Sequence, residues 1–287
     1  MKQHEVDVLI VGAGLFGSVI RDALGRQGMD VMTIDDHRPM SGSTPAACLM
    51  KPSWFSGLGP KVYNPALELL SSLYTMHELE FQIAPAVKSL VYWIHPGAIL
   101  TQGGINRTGR VTGITPNGDG RWLVSYLPGL SQQGSGEVLA RRVVVACGIW
   151  TSELAPVDGL EPRVGAAWIW QDPKQTQERF INVWAPYRQI VAFHRDPGEL
   201  WVGDGTALKA MSMTNQQRVA SRQRCASAVG RDESEPRELA GIRPYVKGAK
   251  PAYLQEHMPG LWVATGGAKN GTLAAGWCAK RLVEALS

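Results

Sequence analysis

Apolar and polar positions divide the chain into a regular succession of short strands and amphipathic helices. Val6–Val11 (VDVLIV) is apolar almost throughout, the pattern of a strand buried on both faces. A glycine-rich turn follows, then SVIRDALGRQG, which reads as a helix ending at Gly28, and a second strand over Asp30–Ile34. The stretch RPMSGSTPAACLMKPSWF is a Ser/Thr/Gly-rich loop leading into small residues able to start a helix. Residues 61–80 carry Leu67, Leu70, Leu73 and Tyr74 near helical spacing. Val87–Ile94 predicts a strand that turns at His95-Pro96-Gly97, where His95 reads as a turn or edge residue rather than a base. Arg110–Ile114, Trp122–Leu127 and Glu137–Ala140, separated by PNGDG and LPGLSQQGSG, predict a β-meander. It leads into VVVACGIW, a buried strand ending at Gly148, where backbone can approach a bound cofactor.

A proline-containing segment, APVDGLEPRVG, marks departure to another domain. Residues 164–204 hold four strand-like runs (VGAAWIW, FINVWAP, RQIVAFH and ELWVGDG) expected to form one antiparallel sheet. Thr214–Val229 reads as a helix, RDESEPRE as a return linker, LWVAT as a strand and LAAGWCAKRLVEAL as a terminal helix. The fold class is therefore α/β: a Rossmann-like domain beside a smaller antiparallel-sheet domain. The expected partition is 1–87, 106–158 and 241–287 for the former, 88–105 and 159–240 for the latter.

The strongest chemical signal is the first turn. Gly12-Ala13-Gly14-Leu15-Phe16-Gly17 sits between a strand and a helix, the context that makes a GxGxxG match specific for a dinucleotide. Gly12 permits the turn, Gly14 admits a pyrophosphate, and Gly17 allows the helix to pack on the sheet. The helix N-terminus, with Leu15 and Phe16, presents N–H groups and a positive dipole end to the phosphates. Asp35, at the end of the second strand, suits an adenosine ribose, with Asp36 a competitor, and an acid there disfavours the 2′-phosphate of NADP. Near the C-terminus, Arg243 beside Pro244 in GIRPY suits a fixed grip on a carboxylate. The helix start at Gly271 and Thr272, with Lys269, suits negative charge developing on an electron-poor ring. Tyr187 and Tyr245 are candidate pocket residues.

Composition narrows the class further. The 287 residues are 44% hydrophobic and 19% charged, with 32 Gly and 18 Pro, a loop-rich globular protein rather than a disordered chain or coiled coil. Net charge is +4, with no basic stripe to track a phosphate backbone. The four cysteines, Cys48, Cys147, Cys225 and Cys278, are far apart and form neither a CxxC pair nor a metal-ligand cluster, which fits free thiols in a reducing compartment. The N-terminus enters a strand without the apolar segment of a signal peptide, and no run of about 20 apolar residues occurs, so a cytoplasmic protein without membrane contact is expected.

Taken together the motifs resemble the D-amino-acid oxidase and glycine oxidase family of FAD-dependent enzymes. Supporting segments occur in order along nearly the whole chain: VDVLIVGAGLFGSVIRDALGRQGMDVMTIDD, SGSTPAACLMKP, RRVVVACGIWTSEL, EPRVGAAWIW, ELWVGDGT, GIRPYVKGAKP and GLWVATGGAKNGTLAAGWCAKRLVE. The resemblance implies an FAD flavoprotein that oxidises an amino acid or secondary amine by hydride transfer to flavin N5. Imine hydrolysis follows, with O2 as electron acceptor. By position, Ser43, Thr44 and Ala47 fall in the stretch under the pyrophosphate and flavin. Arg243 matches the carboxylate-holding arginine, and Gly266, Gly267, Lys269, Asn270, Gly271 and Thr272 match the turn around the flavin N1–C2=O edge. The chain differs from the family in three respects. It is shorter, with an apparent gap before the meander; GGAKNG replaces a Gly-His beginning; and EPRVGAAW lacks an Arg-Gly-Gln run. These differences allow an alternative substrate, a glycine-like amine carried on a DNA or RNA base, where exposed tryptophans would stack. An oligomer is compatible with either reading.

Overall fold

The structure is a computed structural model that describes residues 4–50, 59–84, 87–101, 106–129, 135–173, 180–185, 188–232 and 236–287. Strand β1 (His4–Val11) lies parallel to β2 (Val31–Asp35) on one side and to β8 (Gly136–Val145) on the other, with helix α1 (Leu15–Arg26) crossing between the first two. Alternation along β1 explains its apolar sequence. Val8 and Ile10 pack towards α1, α2 (Pro60–Leu73) and α5 (Gly271–Leu286), while Leu9 and Val11 face the opposite core. That second core is closed by the meander of β6 (Arg107–Pro116), β7 (Trp122–Pro128) and β8, whose Trp122 and Val124 meet Val143 and Val145. One edge of β8 pairs with β1 along its length. The other pairs first with β7 and then, from Val143, with β15 (Leu261–Thr265), which carries β14 (Tyr253–Met258) at the margin of the seven-stranded sheet.

A separate five-stranded antiparallel sheet has the order β10 (Phe180–Ala185), β11 (Arg188–Asp196), β12 (Glu199–Gly203), β9 (Leu160–Gln171), β13 (Arg237–Val246). Helix α4 (Asn215–Val229) covers one face. Trp168 and Trp170 are buried there and donate to Ser221 Oγ at 3.1 Å and Asp232 O at 2.8 Å. The other face packs Phe193 and Trp201 against Leu49, Val91 and Trp93 of a three-stranded sheet, β3 (Leu49–Met50), β5 (Val87–Trp93) and β4 (His77–Ala84). A one-turn helix, α3 (Pro96–Thr101), leads back to β6. The fold is thus a Rossmann-like mixed sheet with separate antiparallel sheets, as the sequence predicts. No helix among the described residues is long and apolar enough to cross a membrane.

Several element boundaries differ from the periodicity. Helix α2 ends at Leu73 instead of continuing to Glu80, because Tyr74 turns extended and its hydroxyl donates to Asp22 Oδ2 on α1 at 2.5 Å. MHELE then joins β4, which pairs with β5, and cross-strand pairing overrides a helix-compatible pattern. Glu137–Ala140 and VVVACGIW are not two strands: β8 runs unbroken from Gly136 to Val145. The small-residue stretch after Ser43 stays irregular until β3 rather than starting a helix. The return linker is shorter than expected, since Arg237 and Glu238 already belong to β13. Strand β14 carries a half-exposed polar sequence with no clear alternation, which hid it.

Candidate active site

The glycine turn is built by contacts that exclude side chains. Gly12 holds φ at +103°, and a Cβ there would sit 2.6 Å from Ala146 O at the end of β8. A Cβ on Gly17 would sit 1.8 Å from Gly12 O, so α1 rests directly on the turn. At Gly14 it would meet Ser43 Oγ at 2.8 Å. Ser43 itself accepts from Leu15 N at 2.9 Å, so a residue from the loop after β2 caps the first turn of α1.

Asp35 and its competitor Asp36 have different surroundings. Asp35 accepts from Ala13 N at 2.6 Å and His37 N at 2.7 Å, which ties the end of β2 to the glycine turn. Asp36 instead accepts from Arg38 Nε at 2.7 Å. The remaining fork of Arg38 grips Glu153 at 2.6 and 2.7 Å, and its guanidinium lies 5.4 Å over the Trp150 ring. Hydrogen bonds from Arg38 hold Glu153 below the usual carboxylate range. This clasp joins residues 115 apart and had no sequence signal. Gly148, beyond β8 with φ at +61°, accepts at its carbonyl from Thr151 Oγ1 and Thr265 Oγ1.

Arg243 stands on β13 at the far end. Its Nη1 donates to Thr206 O at 2.7 Å. Gly165 on β9 makes room, since a Cβ there would lie 2.2 Å from Thr206 O and 2.9 Å from Arg243 Nη1. Burial pulls the guanidinium below its ordinary pKa, and the charge of nearby Asp204 partly offsets this. Asp204 is itself buried, accepting from Thr206 N at 2.9 Å and from Arg224 Nε and Nη2 at 3.0 and 2.6 Å. Asp204, Thr206 and Arg224 were absent from the sequence-derived site, although GDGT marks their turn. Lys269 reaches the same turn, its Nζ 3.6 Å from where a Gly205 Cβ would be. Asn270 precedes α5, whose N-terminus has no side-chain cap.

These parts line one cavity of about 1420 Å³, larger than the about 300–1,000 Å³ of ordinary small-molecule pockets and roomy enough for a dinucleotide with a substrate. It runs from Asp35, Asp36 and Arg38 past Gly12, Gly14, Leu15 and Phe16 to Arg243 and Lys269. Ser43, Thr44, Ala47, Gly148, Gly267, Asn270, Gly271 and Thr272 also line it. Gly17 lies behind the turn. Tyr245 departs from the expected pocket position: its ring is covered by Arg163, 4.9 Å above, and does not line the cavity. Tyr187 lies outside the described residues. Trp93, Trp122, Trp168, Trp170 and Trp201 are buried and Trp150, Trp262 and Trp277 part-buried, so none of these eight is an exposed stacking platform.

A Rossmann-like glycine turn, a meander, and a cavity continuing onto an antiparallel sheet define a two-part dinucleotide-dependent oxidoreductase. Residues 96–285 match the family model described as FAD dependent oxidoreductase (DAO), and the chain belongs to that family, with FAD as its cofactor. The side-chain-free turn at Gly12 and Gly14, which lines the cavity together with the N-terminus of α1, fits that cofactor's pyrophosphate. No curated protein matches the chain. Among solved structures, L-proline dehydrogenase from P. horikoshii is 12% identical with a TM-score of 0.70, covering 99% of this chain and 94% of that one. Iminodiacetate oxidase from Chelativorans sp. BNC1 is 17% identical with a TM-score of 0.68, covering 97% and 94%. Glycine oxidase from Geobacillus kaustophilus is 18% identical with a TM-score of 0.63, covering 99% and 95%. These likenesses establish a shared fold over nearly the whole of each chain.

Proposed function

We propose that this protein oxidises the C–N unit of a small, glycine-like amino acid or secondary amine, with Arg243 as the carboxylate anchor. The observation that carries the reading is the Arg243 guanidinium: it lines the cavity, is desolvated, and has Nη1 committed to Thr206 O. A part-buried, desolvated cation of this kind gains from an anionic partner, and the rest of its fork suits a carboxylate.

Bound FAD supplies the acceptor for the electron pair released as the substrate's C–N bond becomes C=N. The chain contributes alignment and electrostatics. Asp35, tied to the glycine turn, retains lone pairs for the ribose hydroxyls. Ser43 Oγ accepts from Leu15 N and keeps its own proton for a phosphate oxygen. Arg243 fixes the carboxylate so that the α-carbon is presented in one orientation. Lys269 and the N-terminus of α5 place positive potential at the same end of the cavity, where negative charge accumulates. Water then hydrolyses the imine, and O2 serves as final electron acceptor, giving hydrogen peroxide. The glycine, iminodiacetate and proline of the three solved structures' names all fall within this substrate class.

Anaerobic titration of the yellow holoprotein tests the reading. Glycine, sarcosine, proline or iminodiacetate should bleach the flavin band, with peroxide on admitting air, while methylamine and dimethylamine should not. R243M should raise the half-saturating concentration by about 30-fold or more, the scale for losing one partner of a buried charged pair. Equal bleaching by carboxylate-free amines, or none by any amine although dithionite bleaches fully, refutes it.

A further inference from the structure

The chemistry above uses Arg243 and leaves a second guanidinium of the same cavity unassigned. Gln217, Ala220 and Arg224 of α4 all line the cavity, at the spacing of three and four that shares one helix face. The helix is held rigidly. Thr214 and Gln217 form a capping box at its start, Gly230 ends it in the left-handed conformation, and Ser221 accepts from Trp168 on β9. Arg224 is therefore delivered from a fixed support.

Its contacts are one-sided. Nε and Nη2 engage Asp204 Oδ2 at 3.0 and 2.6 Å, and Nη2 reaches Thr206 Oγ1 at 3.4 Å, while Nη1 has no hydrogen-bond partner among the described residues. Asp204 is 0% exposed, yet the Arg224 side chain remains 40% exposed. Asp204 thus serves as a buried stay that orients a guanidinium whose other edge is open. Thr206 links the two arginines, bonding Arg224 through its hydroxyl and Arg243 through its carbonyl. That common partner keeps the two guanidinium groups within about 10 Å of each other, a span that a short dicarboxylate can bridge.

Charge supports the same conclusion. At the adenosine end, Asp35, Asp36 and Glu153 outnumber Arg38 and Arg110. At the far end, Arg224, Arg243 and Lys269 face the single carboxylate of Asp204.

We propose that Arg224 forms a second anion subsite and that the substrate is an amine bearing two carboxylates, one on Arg243 and one on Arg224. The proposal rests on the Arg243 reading and makes a separate demand. Succinate and butyrate share a carboxylate and chain length and differ in whether the far end is a second carboxylate or a methyl. Titrated against the flavin absorbance of the holoprotein, succinate should bind about tenfold or more tightly than butyrate, and R224Q should bring the ratio near one. If R224Q loses FAD because Asp204 is left buried without its counter-ion, D204N/R224Q removes both charges and should give the same collapse. A ratio near one in the unmodified protein, or a ratio that survives in these variants, overturns the subsite while leaving Arg243 in place. Butyrate binding unaffected by R243M overturns the Arg243 reading, and the subsite with it.

Discussion

Replacing Gly17 by alanine is the sharpest single perturbation of the cofactor half. The new methyl would lie 1.8 Å from Gly12 O, 2.9 Å from Gly12 C and 3.3 Å from Ile10 Cγ2. Backbone supplies the two nearest contacts, so no side-chain rotation relieves them, and α1 must retreat by roughly 1.6 Å for the methyl to reach ordinary contact. The retreat loosens Val19, Ile20 and Leu24, all fully buried against the core shared with α5. Overpacking with backbone displacement costs about 1–3 kcal/mol, with lost α1 packing adding to it. Against a total stability of about 5–15 kcal/mol, that is a large fraction. Gly25, in the same helix, is the internal control. It is exposed with nothing within 4 Å of an added Cβ, so G25A should stabilise by about 0.5–1 kcal/mol. Urea unfolding of both variants, with flavin content after purification, reads the difference. Expected are a lowered midpoint and depleted flavin for G17A and a raised midpoint with full flavin for G25A. Matching midpoints would show that the glycine turn is not close-packed on α1.

Other consequences follow from the same contacts. S43A removes the acceptor of Leu15 N, should cost about 1 kcal/mol at the start of α1 and should weaken FAD binding in a flavin fluorescence titration; unchanged affinity would separate Ser43 from the phosphate site. Burial alone pushes Asp204 upward, but hydrogen bonds from Thr206 and Arg224 outweigh it and hold its pKa below the ordinary 3.8. Its stabilisation is therefore complete above that value and is lost as pH falls through the lower folded value. The Tm of the unmodified protein should then fall more steeply than that of D204N/R224Q from about pH 4 downward, and parallel slopes would refute the assignment. Burial likewise pushes the Cys147 thiol up to about 12, with Sγ 3.2 Å from Val11 O. Cys147 lines the cavity, so its protonation rather than its access is tested: iodoacetamide at pH 8 should label it slowly in the folded protein and faster in urea, as mass spectrometry can follow, and rapid labelling of the folded protein would contradict the raised pKa.

Legibility in the sequence followed the range of the interaction. The continuous apolar run of Val8, Leu9, Ile10 and Val11 marked β1 because successive side chains point to opposite faces and both faces meet a core. The turn from Gly12 to Gly17 was readable because its three glycines fall within six residues, although the atoms that exclude a side chain at Gly12 and Gly14, Ala146 O and Ser43 Oγ, come from far along the chain. MHELE was misread because its pattern suits either a helix or a strand, and only pairing with β5 decides. The sequence favoured Asp35 over Asp36 by its place at the end of β2, but the partners that separate them, Ala13 N for one and Arg38 for the other, appear only in the structure. Tyr245 lies beside Arg243 in sequence, yet Arg163 from the neighbouring strand covers it.

By itself, therefore, the sequence determined most of the element types, the cofactor turn and the candidate substrate arginine, since these are encoded in periodicity and in residues a few positions apart. The tertiary structure decided which charges meet. Arg224 and Asp204 are 20 residues apart, Arg243 and Thr206 37, and Arg38 and Glu153 115. Spacing carries no information about such pairs, because a guanidinium's partner is whichever buried acceptor the packed sheets bring within about 3 Å. That choice turns scattered arginines into a clasp beside Asp35 and Asp36 at one end of the cavity and two guanidinium groups joined through one threonine at the other.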